Sequence, residues 1–329
     1  MLPGSFVRSC LYVACVLVLA MSGNVEAQNY PTRSITFIVP STPGGPGDVS
    51  ARLISERMSA ALGQTIVIET IAGAGGTIGM ARVARAAPDG YTLMVHQNGF
   101  AITPALYAKL NFDTAKDFVT VGLLNQSATY LVGREALPAK TFAELKAWVQ
   151  GPGKPAKLAH PGPGTVGHLL MTMLVREIGP ESSLVSYRGI APAVNDLLGG
   201  HIDATLVAAA VATPLIKNGK LKPYATTASK RTVALPDVPT FGEVGLKDLE
   251  KAFWHALFAP AATPQPILDR LNAALRETLS DPKVQEAYAK TGLEAYPQAQ
   301  WSLGAANAYV KSELEFWGKV VRDNNVKID

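Results

Sequence analysis

Three stretches set glycines between an apolar strand pattern and a helical one: Ser41-Thr42-Pro43-Gly44-Gly45-Pro46-Gly47, Gly73-Ala74-Gly75-Gly76 and Gly162-Pro163-Gly164. The start of a helix carries unpaired N–H groups and about half a positive charge. Glycine removes the side chain that would keep a ligand away from that backbone. Such loops suit a carboxylate or phosphate without any lysine or arginine. One such loop is as well read as a tight turn; three in one chain favour anion binding. Arg188, next to Tyr187 at the end of an apolar run, is the best single candidate for an ionic contact to a ligand carboxylate, with a surface ion pair as the alternative.

Catalytic patterns are missing. The chain has no G-x-S-x-G, no H-E-x-x-H and no G-x-x-x-x-G-K-[ST]. Gly73 to Gly79 spaces its glycines as G-x-G-x-x-x-G, a weak variant of a dinucleotide fingerprint. Of the five histidines, His96, His160, His168, His201 and His255, no two are four apart. His160 and His168, eight apart, read better as helix-start or core residues than as zinc ligands. Asp48 reads as a helix-start capping residue rather than a general base. The expectation is binding without catalysis, with no metal and no cofactor.

The elements that must carry these loops follow from periodicity. Strands are predicted at 35–39, 65–69 and 91–95, and helices from about Asp48 to Leu62 and from Thr77 to about Ala86. Ile54, Met58, Ala61 and Leu62 share one face of the first helix, and Gly63 ends it. A second β-loop-α series runs through a helix at 142–149, a strand at 157–159, a helix bearing Leu169, Leu170, Met173 and Leu174, and strands at 184–187 and 202–207. After Thr227 the chain reads as a connection back, with a strand at 254–259 and helices at 267–279 and from about Gln300. Near-continuous apolar strands alternating with helices predict an α/β protein. Each unit should be a mostly parallel sheet flanked by helices.

The 329 residues are 48% hydrophobic and 17% charged, a globular composition of about two domains. Thirty Lys+Arg against 26 Asp+Glu give +4, and the scattered basic residues argue against a nucleic-acid partner. Arg8, the apolar run from Cys10 to Met21 and Val25-Glu26-Ala27 predict a cleavable signal peptide at 1–27 and export to the periplasm. Both cysteines, Cys10 and Cys15, fall inside it, so residues 28–329 carry no thiol.

Several motifs in order resemble one family. They include Val39-Pro40, Gly44-Gly45-Pro46-Gly47-Asp48-Val49, Ala51-Arg52, Leu62-Gly63-Gln64 and Gly73-Ala74-Gly75-Gly76. Ala84-Arg85-Ala86-Ala87-Pro88-Asp89-Gly90-Tyr91-Thr92-Leu93, Tyr187-Arg188-Gly189, Asp196-Leu197-Leu198-Gly199-Gly200 and Leu235-Pro236-Asp237-Val238-Pro239-Thr240 follow. The set resembles the tripartite tricarboxylate transporter receptors, the Bug-type periplasmic solute-binding proteins. The resemblance implies a two-lobed periplasmic-binding-protein fold of type II-like form, closing on a small organic acid between lobes, without catalysis. It implies lobe 1 at 28–125 plus 228–329 and lobe 2 at 126–227. The binding positions it implies are Ser41, Thr42, Gly44, Gly45, Gly75, Gly76, Thr77 and Asn98 on one lobe, with Gly164, Thr165, Tyr187 and Gly189 on the other.

Many relatives carry an acidic residue where this chain has Val207, followed by Ala208-Ala209-Ala210. A buried ammonium there would be unpaired, so the expected ligand is a di- or aromatic carboxylate without an amine. The expected partner is the membrane permease of a tripartite tricarboxylate transporter, and a monomer is the default state. A ligand-presenting component for a membrane signalling partner is the alternative output, and a secreted α/β hydrolase a more distant one.

Overall fold

The computed structural model describes residues 30–326, apart from 108 and 154. The expected signal segment at 1–27 lies outside the described residues. The described residues form the strands β1 (Ile35–Val39), β2 (Ile66–Thr70), β3 (Thr92–Gln97), β4 (Phe118–Ser127), β5 (Thr129–Arg134), β6 (Lys157–His160), β7 (Ser183–Ser186), β8 (Ala204–Ala208), β9 (Leu221–Thr226) and β10 (Phe253–Pro260). The helices are α1 (Pro46–Leu62), α2 (Thr77–Ala84), α3 (Gly99–Leu106), α4 (Phe142–Gln150), α5 (Val166–Ile178), α6 (Ile190–Leu198), α7 (Ala209–Lys217), α8 (Gln265–Ser280), α9 (Pro282–Lys290) and α10 (Leu303–Asp323).

The strands form two five-stranded sheets, ordered β2-β1-β3-β10-β4 and β7-β6-β8-β5-β9. Each is mixed. Pairings β1–β2, β1–β3, β6–β7 and β6–β8 are parallel, whereas β10 runs antiparallel to β3 and β4, and β5 to β8 and β9. The parallel halves are the ones periodicity predicts. The antiparallel halves owe their existence largely to β4, β5 and β9, which the sequence reading passes over. β4 and β5 are separated only by Ala128, with no turn signal to mark where one sheet ends and the other begins.

α1 shows how the sequence builds an element. Its Ile54 and Met58 are fully buried and Leu62 nearly so, while Ala61 is half-buried. They pack in one core with Ile35, Phe37 and Val39 of β1. Each such aliphatic side chain contributes roughly 1.5–3 kcal/mol by leaving water. Pro46 opens the helix, where its missing N–H costs nothing. Gly63 closes it at φ 73°, its N–H donating to the Ser59 carbonyl at 2.9 Å. Asp48 is therefore the third helical residue, not the cap.

Candidate ligand cleft

The pairing directions put the C-terminal ends of β1, β2, β3 and β4 and the start of β10 on one edge of the first sheet. They put the C-terminal ends of β6, β7, β8 and β9 and the start of β5 on one edge of the second. The chain passes from β4 to β5 through Ala128 alone, so these two edges adjoin. The crossings are tied together: Thr129 N–H donates to Thr227 Oγ1 at 3.0 Å, Thr227 N–H to the Thr129 carbonyl at 2.9 Å, and Ala209 N–H to the Ala128 carbonyl at 3.0 Å. Six helices begin at these edges, α1, α2 and α3 on the first and α5, α6 and α7 on the second. Their N-termini converge as positive partial charges beyond the carboxyl ends of the strands, where open α/β sheets bind ligands.

On the first edge, Gly44 sits at φ 74° and donates its N–H to Asp48 Oδ2 at 2.8 Å. Asp48 is buried, and Arg52 Nε lies 3.0 Å from its other oxygen. Burial works against its charge, but the Arg52 and Gly44 contacts outweigh it and hold the carboxyl below the usual range. Gly45 N–H donates to the Thr42 carbonyl at 3.1 Å. Ser41 Oγ would lie 3.2 Å from a Cβ on Gly47, so it leans over the first turn of α1. In the second loop, Gly76 at φ 94° donates to the Gly73 carbonyl at 2.9 Å. A Cβ on Gly75 would meet the Tyr107 hydroxyl at 2.6 Å, and one on Gly76 would meet His96 Nε2 at 3.1 Å. The positive φ favours glycine at both positions, and a side chain at either would also have to displace a neighbouring ring. Thr77 starts α2 there.

On the second edge, the loop amides are held by histidines. Gly162 N–H donates to His160 Nδ1 at 3.2 Å and Gly164 N–H to His168 Nδ1 at 3.1 Å. The two rings stack 4.2 Å apart. Both are therefore neutral with the proton on Nε2, and burial together with the neighbouring His160 pushes His168 down to about 4. Thr165 caps α5 by accepting from His168 N–H at 3.1 Å, while its hydroxyl donates to the Gly162 carbonyl at 2.7 Å. Tyr187 N–H donates to the His160 carbonyl at 3.0 Å and Gly189 N–H to the Pro161 carbonyl at 2.9 Å, so the two loops are laced together. The Tyr187 hydroxyl donates to Asp196 Oδ2 at 2.6 Å, and desolvation with that carboxylate pushes it up to about 12. Arg188 is exposed beside it.

The structure thus brings the implied residues together in two groups, one per edge, and changes what several of them offer. The amides of Gly44, Gly45, Gly76, Gly164 and Gly189 have partners within the chain. The physical reason is general: a backbone donor out of contact with water needs an acceptor, and here the chain itself supplies one. Asn98 is fully buried, its Nδ2 donating to the Ala252 carbonyl at 3.1 Å and its Oδ1 accepting from Trp254 N–H at 2.8 Å. Both ends of that amide are spent holding the start of β10. Val207 is fully buried in the second sheet's core with Tyr130, Ala193 and Leu197. Its side chain presents no surface to a cleft; of the three alanines that follow it, Ala208 and Ala209 are half-buried and Ala210 is exposed. Ala210 also packs against the turn at Gly292.

Sequence reasoning gave no binding role to a buried polar cluster under the first loop. His255 Nδ1 lies 2.8 Å from Asn125 Oδ1, and Asn125 Nδ2 donates to Ser50 Oγ of α1 at 2.7 Å. All three residues are at most 1% exposed. The signal available was a histidine inside the apolar run of 253–260. His96, on β3 beside the second loop, is buried too, and burial pushes it down to about 4.

The family model for the tripartite tricarboxylate transporter family receptor matches residues 50–326. The chain belongs to that family. Among its relatives is a protein of Agrobacterium vitis from the TAR-I ttuE-ttuC' intergenic region, 40% identical over 299 residues, 91% of this chain and 86% of that one. Among solved structures, the periplasmic binding protein BugD superposes with a TM-score of 0.75 at 37% identity, covering 91% of this chain and all of that one. MatC of Rhodopseudomonas palustris, with bound malate, gives 0.74 at 36% identity over 89% of this chain and all of that one. The fold of this family member is accordingly the two-lobed α/β fold of periplasmic binding proteins, with one sheet in each lobe. The first glycine loop, at 41–47, precedes the span matched by the family model.

Proposed function

We propose that the protein is a periplasmic receptor that captures a small organic carboxylate, a di- or aromatic acid without an amine, and delivers it to a tripartite tricarboxylate-type permease. Six helix N-termini at two adjoining sheet edges carry this reading: they offer positive partial charge to an anion without a buried cation. Family membership and the malate-bound relative support a carboxylate. The lobes are read as 28–125 with 228–329, and 126–227; sheet membership supports the division, although β4 of the first sheet runs two residues past the first bound. The ligand contacts are read as Ser41, Thr42, Gly75 and Thr77 from one lobe and Thr165 and Arg188 from the other. The receptor is read as monomeric, exported by its N-terminal segment and without catalysis.

The test is a thermal-shift screen of protein stripped of ligand by unfolding and refolding, against mono-, di- and tricarboxylates, aromatic acids and amino acids. A ligand at ~100 times its Kd adds about 2.7 kcal/mol, a shift of a few degrees. A rise with amine-free acids is expected. A melting point unmoved by every carboxylate overturns the reading.

A further inference from the structure

The cluster beneath the first glycine loop contains acceptors with nothing to accept. His255 Nε2, Gln97 Oε1 and Ser41 Oγ are buried atoms without a hydrogen-bond partner. Their placement follows from register. His255 pairs directly with Gln97 across β10 and β3, and with Asn125 across β10 and β4, so the three side chains share one face. α1 lies on that face, because Asn125 bonds its Ser50. Val39, which a Cβ on Gly47 would approach to 3.2 Å, brings the first turn of α1 to the same side. The three unpartnered atoms therefore lie near the N-terminus of α1, where the first loop turns.

The tautomer decides what His255 wants. Asn125 uses its Nδ2 to donate to Ser50, which leaves Oδ1 to accept from His255 Nδ1. His255 Nε2 is then a bare lone pair, directed away from β4 and toward the β3 side, where Gln97 sits. Burial, with His96 nearby, pushes the imidazole down to about 3, so it stays neutral at ordinary pH. A buried acceptor left unmet costs more than a hydrogen bond returns, so the cluster favours a ligand that brings a donor.

Resting on the carboxylate-receptor reading, we infer that His255 Nε2 and Gln97 Oε1 form a seat for a hydroxyl group borne beside the carboxylate that α1 receives, making this a receptor for hydroxy acids rather than plain diacids. An ammonium fits less well, because two neutral acceptors do not offset a buried positive charge. The carboxylate on this stretch, Asp48, already faces the Arg52 guanidinium at 3.0 Å and holds the Gly44 amide, although its Oδ1 makes no hydrogen bond.

The experiment is calorimetric titration of ligand-stripped full-length mature protein with succinate, D- and L-malate, tartrate and aspartate, four-carbon diacids that differ only in hydroxyl or amine. The wild type and the variants His255→Phe and Gln97→Met are compared. The expected result is a preference of roughly tenfold to a hundredfold for a hydroxy acid over succinate in the wild type. That preference should collapse in His255→Phe and weaken in Gln97→Met, while succinate affinity stays within about threefold. If His255→Phe does not fold, the wild-type preference and its weakening in Gln97→Met decide. Equal affinity for succinate and malate overturns the inference and points to a buried water on His255, while leaving the receptor reading intact. Aspartate bound above malate overturns it in favour of an ammonium, and a preference that survives both substitutions places the hydroxyl elsewhere. If no carboxylate of any class binds, the receptor reading fails and the inference falls with it.

Discussion

At the residue scale, the cleft is organised by polar side chains that spend themselves on backbone. Asp48 is the clearest case, since one carboxylate fixes the Gly44 amide and pairs with Arg52. Its pKa is lowered on folding, so its contribution to stability is present above the unfolded value near 4 and is lost as pH falls below it. Asp48→Asn should lower the melting temperature at pH 7 by a few degrees and narrow the gap from wild type below pH 4, both measurable by differential scanning calorimetry. The buried histidines act over a different window. His96 and His255 are pushed down to about 4 and about 3, so between those values and the ordinary 6.5 the unfolded chain binds more protons. Stability should therefore fall on acidification from pH 6.5, each histidine adding up to about 1.4 kcal/mol per pH unit. Urea unfolding of wild type and His96→Gln between pH 7 and 5 checks it: the variant's slope should be shallower.

At the element scale, the second crossing into the first sheet is clamped on two sides. Asn98 holds Ala252 and Trp254, and Glu313 of α10 accepts from Lys251 Nζ at 2.9 Å, Trp254 Nε1 at 2.9 Å and Trp317 Nε1 at 2.8 Å. Glu313 is 2% exposed, so removing it strands a cation and two indole N–H groups. Glu313→Leu should cost about 3–5 kcal/mol in denaturant unfolding, and Glu313→Gln distinctly less. A loss under 1 kcal/mol for Glu313→Leu would mean the clamp is not formed. These elements also show where sequence was legible. The helix at 303–323 was visible because Val310, Trp317 and Val321 repeat at helical spacing, although its start lies at Leu303 behind a Ser302 cap rather than at Gln300. α3 and α7 were not, because each is short, apolar on most faces and contains a proline, Pro104 and Pro214. Among the candidate ligand residues, the loops were legible as glycine between strand and helix. Which amides those loops keep for themselves was not, since the pairing of Gly162 with His160 and of Gly164 with His168 depends on the folded shape of the loop.

At the scale of the whole molecule, the helix N-termini converge. Six strands each hand the chain to a helix at one of two facing edges, and the chain crosses between the edges twice. No single loop explains an anion site as well as this arrangement does, and it is invisible from any one motif. Periodicity predicted the parallel halves of both sheets, but not the crossing at Ala128, which makes the edges adjoin.

Whether one acid binds between those edges is tested by calorimetric titration of the best ligand from the screen into wild type, Thr42→Trp and Arg188→Trp. Thr42 and Arg188 are exposed, one on each edge, so an indole at either fills cleft space while leaving the cores untouched. One ligand per chain is expected in the wild type, with a loss of at least tenfold in affinity from either substitution and unchanged melting temperatures. Full affinity retained by either variant would contradict a site shared between the two sheets.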